Sequence, residues 1–288
     1  MYLREYSEQY LTSIEKLNPF CAITLQYHRD VQHDNTLCVV DSMNDVAAVG
    51  FLKGAVSKQG NVKPMIDLSI FLEDRHPEEL SVKTLLISGL IEKFKRFKER
   101  TNNPSCAIRV FCHENDIQEI QFYKDMGFRL NEIIPVLKCD LELNTRHYAI
   151  PKAVHIREFP FTVESTHAYF ASSSTTTLDF ESEAELRFRS GNPSFKCFAA
   201  ISENNVVGAI SIWNIAEDRA ATEDIFVVEA FRHKNIAKEL IATAFDELRK
   251  REVRIATLSL RSSNSPAMNL YSSLGYTHYY DLIELLYE

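Results

Sequence analysis

Glycine is scarce in this chain: 8 of 288 residues, against about 20 at the usual ~7%. Sharp turns must therefore be made largely by other residues, and collagen-like repeats are excluded. Tryptophan occurs once, at Trp213. No apolar run approaches the ~18 residues that a membrane span requires. The start, Met1-Tyr2-Leu3-Arg4-Glu5-Tyr6-Ser7-Glu8, is polar and carries no signal-peptide core, so a cytoplasmic protein without a membrane partner is expected. The six cysteines (Cys21, Cys38, Cys106, Cys112, Cys139 and Cys197) form no CxxC pair, and four of them sit among apolar or β-branched neighbours. They read as reduced structural side chains, with no metal site. A basic excess is missing too. The formal charge is −8, divided as −3 for residues 1–150 and −5 for 151–288, so neither half has the footprint of a nucleic-acid binder. No GxSxG, HExxH, Walker loop or GxGxxG is present, and the nine histidines lack ligand spacing.

What is present is an ordinary balance of 45% apolar and 25% charged residues, in a length that suits about two domains of ~150 residues. An internal repeat supports that count. Asp116-x-x-Glu119-x-x-Phe122-Tyr123-x-x-x-Gly127-Phe128 matches Asn264-x-x-Ala267-x-x-Leu270-Tyr271-x-x-x-Gly275-Tyr276 at a constant spacing of 148 residues. Each copy reads as a short amphipathic helix ended by glycine.

The surroundings repeat as well. A β-rich run precedes each copy (Ala107 to Cys112, Ile255 to Leu260), and another follows (Ile133 to Leu143, Tyr279 to Tyr287). Upstream lies a helix of 3.6-residue period, with Val82, Leu85, Leu86, Leu90 and Phe94 on its apolar face in the first half. In the second half that face is Ala237, Leu240, Ile241, Ala244, Phe245 and Leu248. Earlier still come hairpins, Thr36 to Val40 with Val46 to Leu52, and Phe198 to Ile201 with Val206 to Trp213. The join falls near Asn144 to Lys152, before a strand from Val154 to Phe159. The expected domains are thus 1–145 and 153–288. The run Ser172 to Thr177 reads as a polar loop, a substrate-facing loop being the alternative.

In the second half, Glu223-Asp224-Ile225-Phe226-Val227-Val228-Glu229-Ala230-Phe231-Arg232-His233-Lys234-Asn235-Ile236-Ala237-Lys238, followed at the right distance by the Asn264 to Tyr276 motif, resembles the core of the GNAT superfamily of acetyl-CoA-dependent N-acetyltransferases. The resemblance covers residues 153–288 well and 36–143 faintly. It implies an α/β fold of two tandem GNAT-like domains, each a mixed, mostly antiparallel sheet flanked by helices, the first degenerate.

The resemblance further implies that acetyl-CoA is held by Phe226, Val227 and Val228 of a strand, and by Arg232, His233, Lys234, Asn235, Ile236, Ala237 and Lys238 of a loop and helix. Asn264, Ala267 and Tyr271 of the second motif complete that set. Physical chemistry concurs for the loop: a strand turning into a helix offers free N–H groups and the positive dipole end to a diphosphate. One departure is Asn235, where the family has glycine. Asparagine tolerates a left-handed backbone and is a preferred N-cap, so the turn is expected to form. The corresponding first-half loop, Glu73 to Val82, has four carboxylates against one arginine and no glycine, and no CoA site is expected there. Tyr123 is then a packing residue.

The chemistry implied is direct attack of an amine on the thioester. An alkyl amine of pKa ~10.4 is about one part in a thousand neutral at pH 7, so a base is needed. Glu223 is the catalytic candidate and Asp224 the reserve; strand alternation should send the two to opposite faces, with pairing to Arg219 as the bland alternative. Tyr271 is the implied acid toward the leaving thiolate, and helix packing is its alternative. Asn264 serves as cofactor contact or N-cap. A backbone N–H near Phe226 or Val227 is the implied oxyanion donor, because the family splays this strand from its neighbour. Trp213 lines the acceptor site or packs in the core. The acceptor is a small-molecule amine or a peptide N-terminus, and a monomer is favoured over a dimer. A non-catalytic acyl-CoA-binding or interaction module is the competing reading; Glu223 with Tyr271 favours the enzyme.

Overall fold

The structure is a computed structural model, and it describes all residues except 29, 55–64, 73–78, 102–104, 161–168, 170–182 and 262–264. It divides into two compact units, Met1–Glu132 with Ile283–Glu288, and Ile133–Leu282. The sequential halves read from the sequence and these units differ by the final strand of each half.

The first unit opens with β1 (Tyr2–Glu5), α1 (Leu11–Leu17) and α2 (Pro19–Tyr27), followed by β2 (Val31–Val40), β3 (Val46–Gly54), β4 (Met65–Leu72), α3 (Glu79–Thr101), β5 (Ala107–His113) and α4 (Ile117–Asp125). Strands β1 to β4 pair antiparallel in order, and β4 pairs parallel to β5. The β2–β3 turn is built by Asp41, whose Oδ1 accepts from the amides of Met43 and Asp45 at 2.8 and 2.9 Å. Sheet residues Leu37, Val39, Ala48 and Leu52 pack on Val82, Leu86, Leu90 and Phe94 of α3. The other face, with Cys38, Val40, Val49 and Phe51, is covered by Ile14, Cys21 and Leu25 of α1 and α2. That is why residues 37–40 of β2 and 46–52 of β3 read as continuous apolar runs rather than alternating ones.

The second unit contains most of β6 (Arg129–Asp140), then β7 (His155–Glu158), α5 (Glu183–Ser190), β8 (Lys196–Ser202), β9 (Asn205–Asn214), β10 (Arg219–Val227), α6 (Ile236–Lys250), β11 (Ile255–Ser259) and α7 (Ser265–Ser273). The sheet order is β7-β8-β9-β10-β11-β6; only β10–β11 is parallel. The apolar stripe of α6 (Leu240, Ile241, Ala244, Phe245, Leu248) is buried against Ile210, Ile212, Ala256 and Leu258. The last strand, β12 (Thr277–Tyr287), contributes its residues from Ile283 to the first unit, where Leu285 is fully buried beside Tyr123 and Phe128.

The repeated motif has one structural cause in both copies. Gly127 and Gly275 take φ of +93° and +81°, and each ends its helix in a Schellman cap. The amide of Phe128 donates to the Tyr123 carbonyl at 3.0 Å and that of Gly127 to Lys124 at 3.0 Å. Tyr276 donates to Tyr271 at 3.1 Å and Gly275 to Ser272 at 3.1 Å. The apolar contact that accompanies such caps is an edge-on ring pair in each, Tyr123 with Phe128 at 5.2 Å and Tyr271 with Tyr276 at 5.5 Å. All six cysteines are buried and none is joined in a disulfide among the described residues.

Candidate active site

The loop from Val228 to Asn235 connects β10 to α6. Asn235 stands immediately before the helix with φ +62°, the left-handed conformation expected there, and His233 takes φ +61° as well. The capping expectation needs correction. The Asn235 side chain makes no cap hydrogen bond; its Nδ2 instead donates to the Ala149 carbonyl at 3.5 Å, because a left-handed residue aims its side chain away from the first helical amides. Arg232, His233, Lys234 and Asn235 are exposed, Ala237 and Lys238 half-buried, and Ile236 buried in the core. Lys234 Nζ donates to the Ala230 carbonyl at 2.9 Å, and Arg232 Nε to that of Val227 at 3.1 Å.

Strand β10 pairs with β11 only over Arg219–Ala221 against Ile255–Thr257, although it runs on to Val227. The end of this pairing is stitched by side chains. Thr222 Oγ1 donates to the Thr257 carbonyl at 3.1 Å, Thr257 Oγ1 to that of Ala220 at 3.2 Å, and the buried Tyr276 hydroxyl lies 2.9 Å from Thr222 Oγ1. Beyond it the strands part. The Val228 amide donates to Val207 of β9 at 2.9 Å, so strand alternation turns the Val227 amide to the opposite edge, where β11 has left. Phe226, the other candidate donor, has its amide on the β9 side by the same alternation. Its ring is buried edge-on to Tyr169 at 5.4 Å. Close contact with β9 is permitted by Gly208, where a Cβ would lie 2.8 Å from the Phe226 carbonyl oxygen.

Glu223 and Asp224 do not face opposite sides. The register slips between Glu223, opposite Ser211, and Phe226, opposite Ala209, and Asp224 takes φ +52°. This bulge cancels the alternation. Arg189 Nη1 reaches both carboxylates, Glu223 Oε2 at 3.1 Å and Asp224 Oδ2 at 3.5 Å. Arg219, the partner considered in the sequence, points elsewhere, its Nη1 3.3 Å from the Tyr279 hydroxyl. Arg189 was missed: its partners lie more than thirty residues away, and its helix offers no motif. Trp213 is half-buried, stacked on Phe195 at 6.3 Å, with the Arg189 guanidinium 4.8 Å over its ring.

Tyr271 is buried in the core of the second unit, and burial drives its hydroxyl well above the usual tyrosine range. It therefore holds its proton at every physiological pH. Among the described residues its hydroxyl makes no hydrogen bond. Ala267 is half-buried on the same core. Asn264 lies outside the described residues, as do 73–78 of the acidic first-half loop and the 172–177 run.

In the first unit the parallel pairing likewise stops after Asp67–Arg109. There the end of the pairing is tied by charge: Arg109 Nε donates to Asp67 Oδ1 at 2.7 Å, and its Nη1 lies 3.6 Å from the fully buried Glu284. Lys83 of α3 is buried against Glu119 of α4, its Nζ 4.5 Å from the ring centre of Phe122 and 5.3 Å from that of Tyr123. Tyr123 is thus a packing residue, as expected.

Residues 158–276 match the Acetyltransferase (GNAT) family model. The ribosomal protein bS18-alanine N-acetyltransferase of Escherichia coli (strain K12) is 28% identical over 127 residues, 44% of this chain and 74% of that protein. The streptothricin acetyltransferase of Escherichia coli is 32% identical over 81 residues, 28% of this chain and 47% of that protein. Over the whole chain the fold is similar to a tandem GNAT protein from the clavulanic acid biosynthesis pathway, with a TM-score of 0.68 at 13% identity, covering 100% of this chain and 98% of that one. A GCN5-related N-acetyltransferase from Sphaerobacter thermophilus gives 0.61 at 15% identity, over 100% and 95% of the two chains. The exposed loop ahead of α6 and the parted strands fit acetyl-CoA, the cosubstrate of this family. Residues 158–276 are accordingly a GNAT acetyltransferase domain, and the chain that carries it is an N-acetyltransferase.

Proposed function

We propose that the chain transfers an acetyl group from acetyl-CoA to a primary amine, on a small molecule or a peptide N-terminus, in the domain beginning at residue 153. The carrying observation is that Glu223 stands two residues beyond the last β10 residue paired with β11, where the strands part. The relatives' acceptors, a ribosomal-protein alanine and streptothricin, are both amine-bearing and motivate that class.

Acetyl-CoA supplies the thioester carbonyl that the amine attacks. The α6 N-terminus with Arg232, His233, Lys234 and Asn235 holds the diphosphate, and the Val227 amide donates to the carbonyl oxygen. Glu223 takes the amine proton, directly or through water, as the C–N bond forms. Tyr271 gives its hydroxyl proton to the sulfur as the C–S bond breaks.

The test has two stages. Acetyl-CoA at about 100 times its Kd should stabilise the protein by about 2.7 kcal/mol in thermal melting; no shift at millimolar cofactor would sink the proposal. Thiol release is then followed across polyamines, aminoglycosides and alanyl peptides. Glu223→Gln should lower kcat/KM by about 10²–10⁴, and Tyr271→Phe should slow turnover, both with the melting shift retained.

A further inference from the structure

The Glu223–Asp224 pair sits against a residue that neither the family motifs nor the repeat contains. Arg189 ends α5, its side chain 12% exposed, with Glu223 33% and Asp224 15% exposed. At this degree of cover, ionic contacts are screened less than on an open surface. The guanidinium rests on the Trp213 ring, whose plane is backed by Phe195. Pairing places Glu223 opposite Ser211 and Ala221 opposite Trp213, so Glu223 and Trp213 are diagonal neighbours on one face. The bulge at Asp224 adds the second carboxylate. Tyr169 and Cys197 also face Asp224, and burial holds both neutral, so neither supplies charge.

We propose that Arg189 is a positioning residue for acetyl transfer: seated on Trp213 and joined to both carboxylates, it keeps Glu223 ionised and fixes it where β10 leaves β11. This rests on Glu223 being the base. Two adjacent carboxylates repel, so without the guanidinium one of them takes up a proton more readily. One nitrogen, Nη1, serves both carboxylates, and the flat guanidinium lies on the Trp213 ring in a way that an ammonium does not.

Trp213 makes the idea directly readable, because a single tryptophan gives a single indole N–H signal in a ¹H–¹⁵N correlation spectrum. The full chain is titrated without ligand from pH 7.5 to 4.5. In the wild type the indole signal should stay in place across that range. In Arg189→Gln it should move, with a midpoint inside that range, while the rest of the spectrum remains dispersed. Arg189→Lys, which keeps the charge, should leave the indole signal in place as in the wild type and covers the case in which the glutamine variant fails to fold. An indole signal as insensitive to pH in Arg189→Gln as in the wild type would overturn the proposal; so would a wild-type signal that already titrates in this window. The acid limb of kcat/KM for an acceptor amine should shift upward in step in Arg189→Gln. Full transfer by Glu223→Gln would instead refute Glu223 as the base while leaving the indole titration intact, so the two failures are distinguishable.

Discussion

Seven non-glycine residues take positive φ among the described residues: Asn44, Glu203, Asn204, Asp224, His233, Asn235 and Glu252. Only Gly127 and Gly275 do so among the glycines. Here lies the answer to the scarcity of glycine: left-handed turns are made with side chains attached. The three asparagines were legible, since asparagine is enriched in this conformation. His233 and Asp224 were not, because nothing in their neighbours' identities marks a loop kink or a bulge. The opposite-face reading of Glu223 and Asp224 failed for that reason alone. At Asn235 the consequence is measurable. Asn235→Gly removes the left-handed strain and should leave urea stability within about 0.5 kcal/mol, whereas Asn235→Val should cost about 1–2 kcal/mol and reduce the melting shift given by acetyl-CoA.

Among the elements, α6 and its N-terminal loop were the most readable, because a wide apolar stripe and a basic turn occur together. The segment strapped along α6 was not readable. His147 Nδ1 lies 2.9 Å from Glu239 and its Nε2 3.0 Å from Asp246, while the Tyr148 amide donates to Glu239 at 2.6 Å. These are contacts across some ninety residues, made by a stretch that reads only as a join. The hydrogen bond to Glu239 raises the His147 pKa above its ordinary 6.5, against a smaller opposing effect of desolvation. Protonated His147 therefore favours the folded state. Its contribution is fully present below about pH 6.5 and is lost as pH rises through the raised folded value. A thermal-melting series should show the wild type more stable than His147→Gln at pH 6, the difference closing toward pH 8. Helices α1 and α2 escaped the sequence reading too. Phe20 to Tyr27 mixes apolar and β-branched residues without a clean period, and the readable sign was Asn18-Pro19, where the Asn18 side chain accepts from the Cys21 amide at 2.9 Å and Pro19 opens the helix.

For the whole molecule, the repeat revealed two similar plans, and one solved tandem GNAT protein has a similar fold. What repetition could not reveal is where each final strand goes, since both copies carry equivalent apolar strands and pairing partners are a long-range choice. The outcome places Glu284, Leu285 and Tyr287 in the first unit. A chain stopped after residue 282 should then lose the first unit, because removing the fully buried Leu285 alone costs about 2–5 kcal/mol and Arg109 loses Glu284. The second unit should keep its acetyl-CoA melting shift; proteolysis with mass spectrometry would locate the cleavage in residues 1–132. The same arrangement levels the timetable of biosynthesis. A ribosome makes residues 1–132 first, yet that unit waits unfinished for positions 283–288. The acetyltransferase unit itself closes only at position 282, about a second or less of synthesis earlier, so the half translated first gains no head start in folding and depends longest on protection from aggregation.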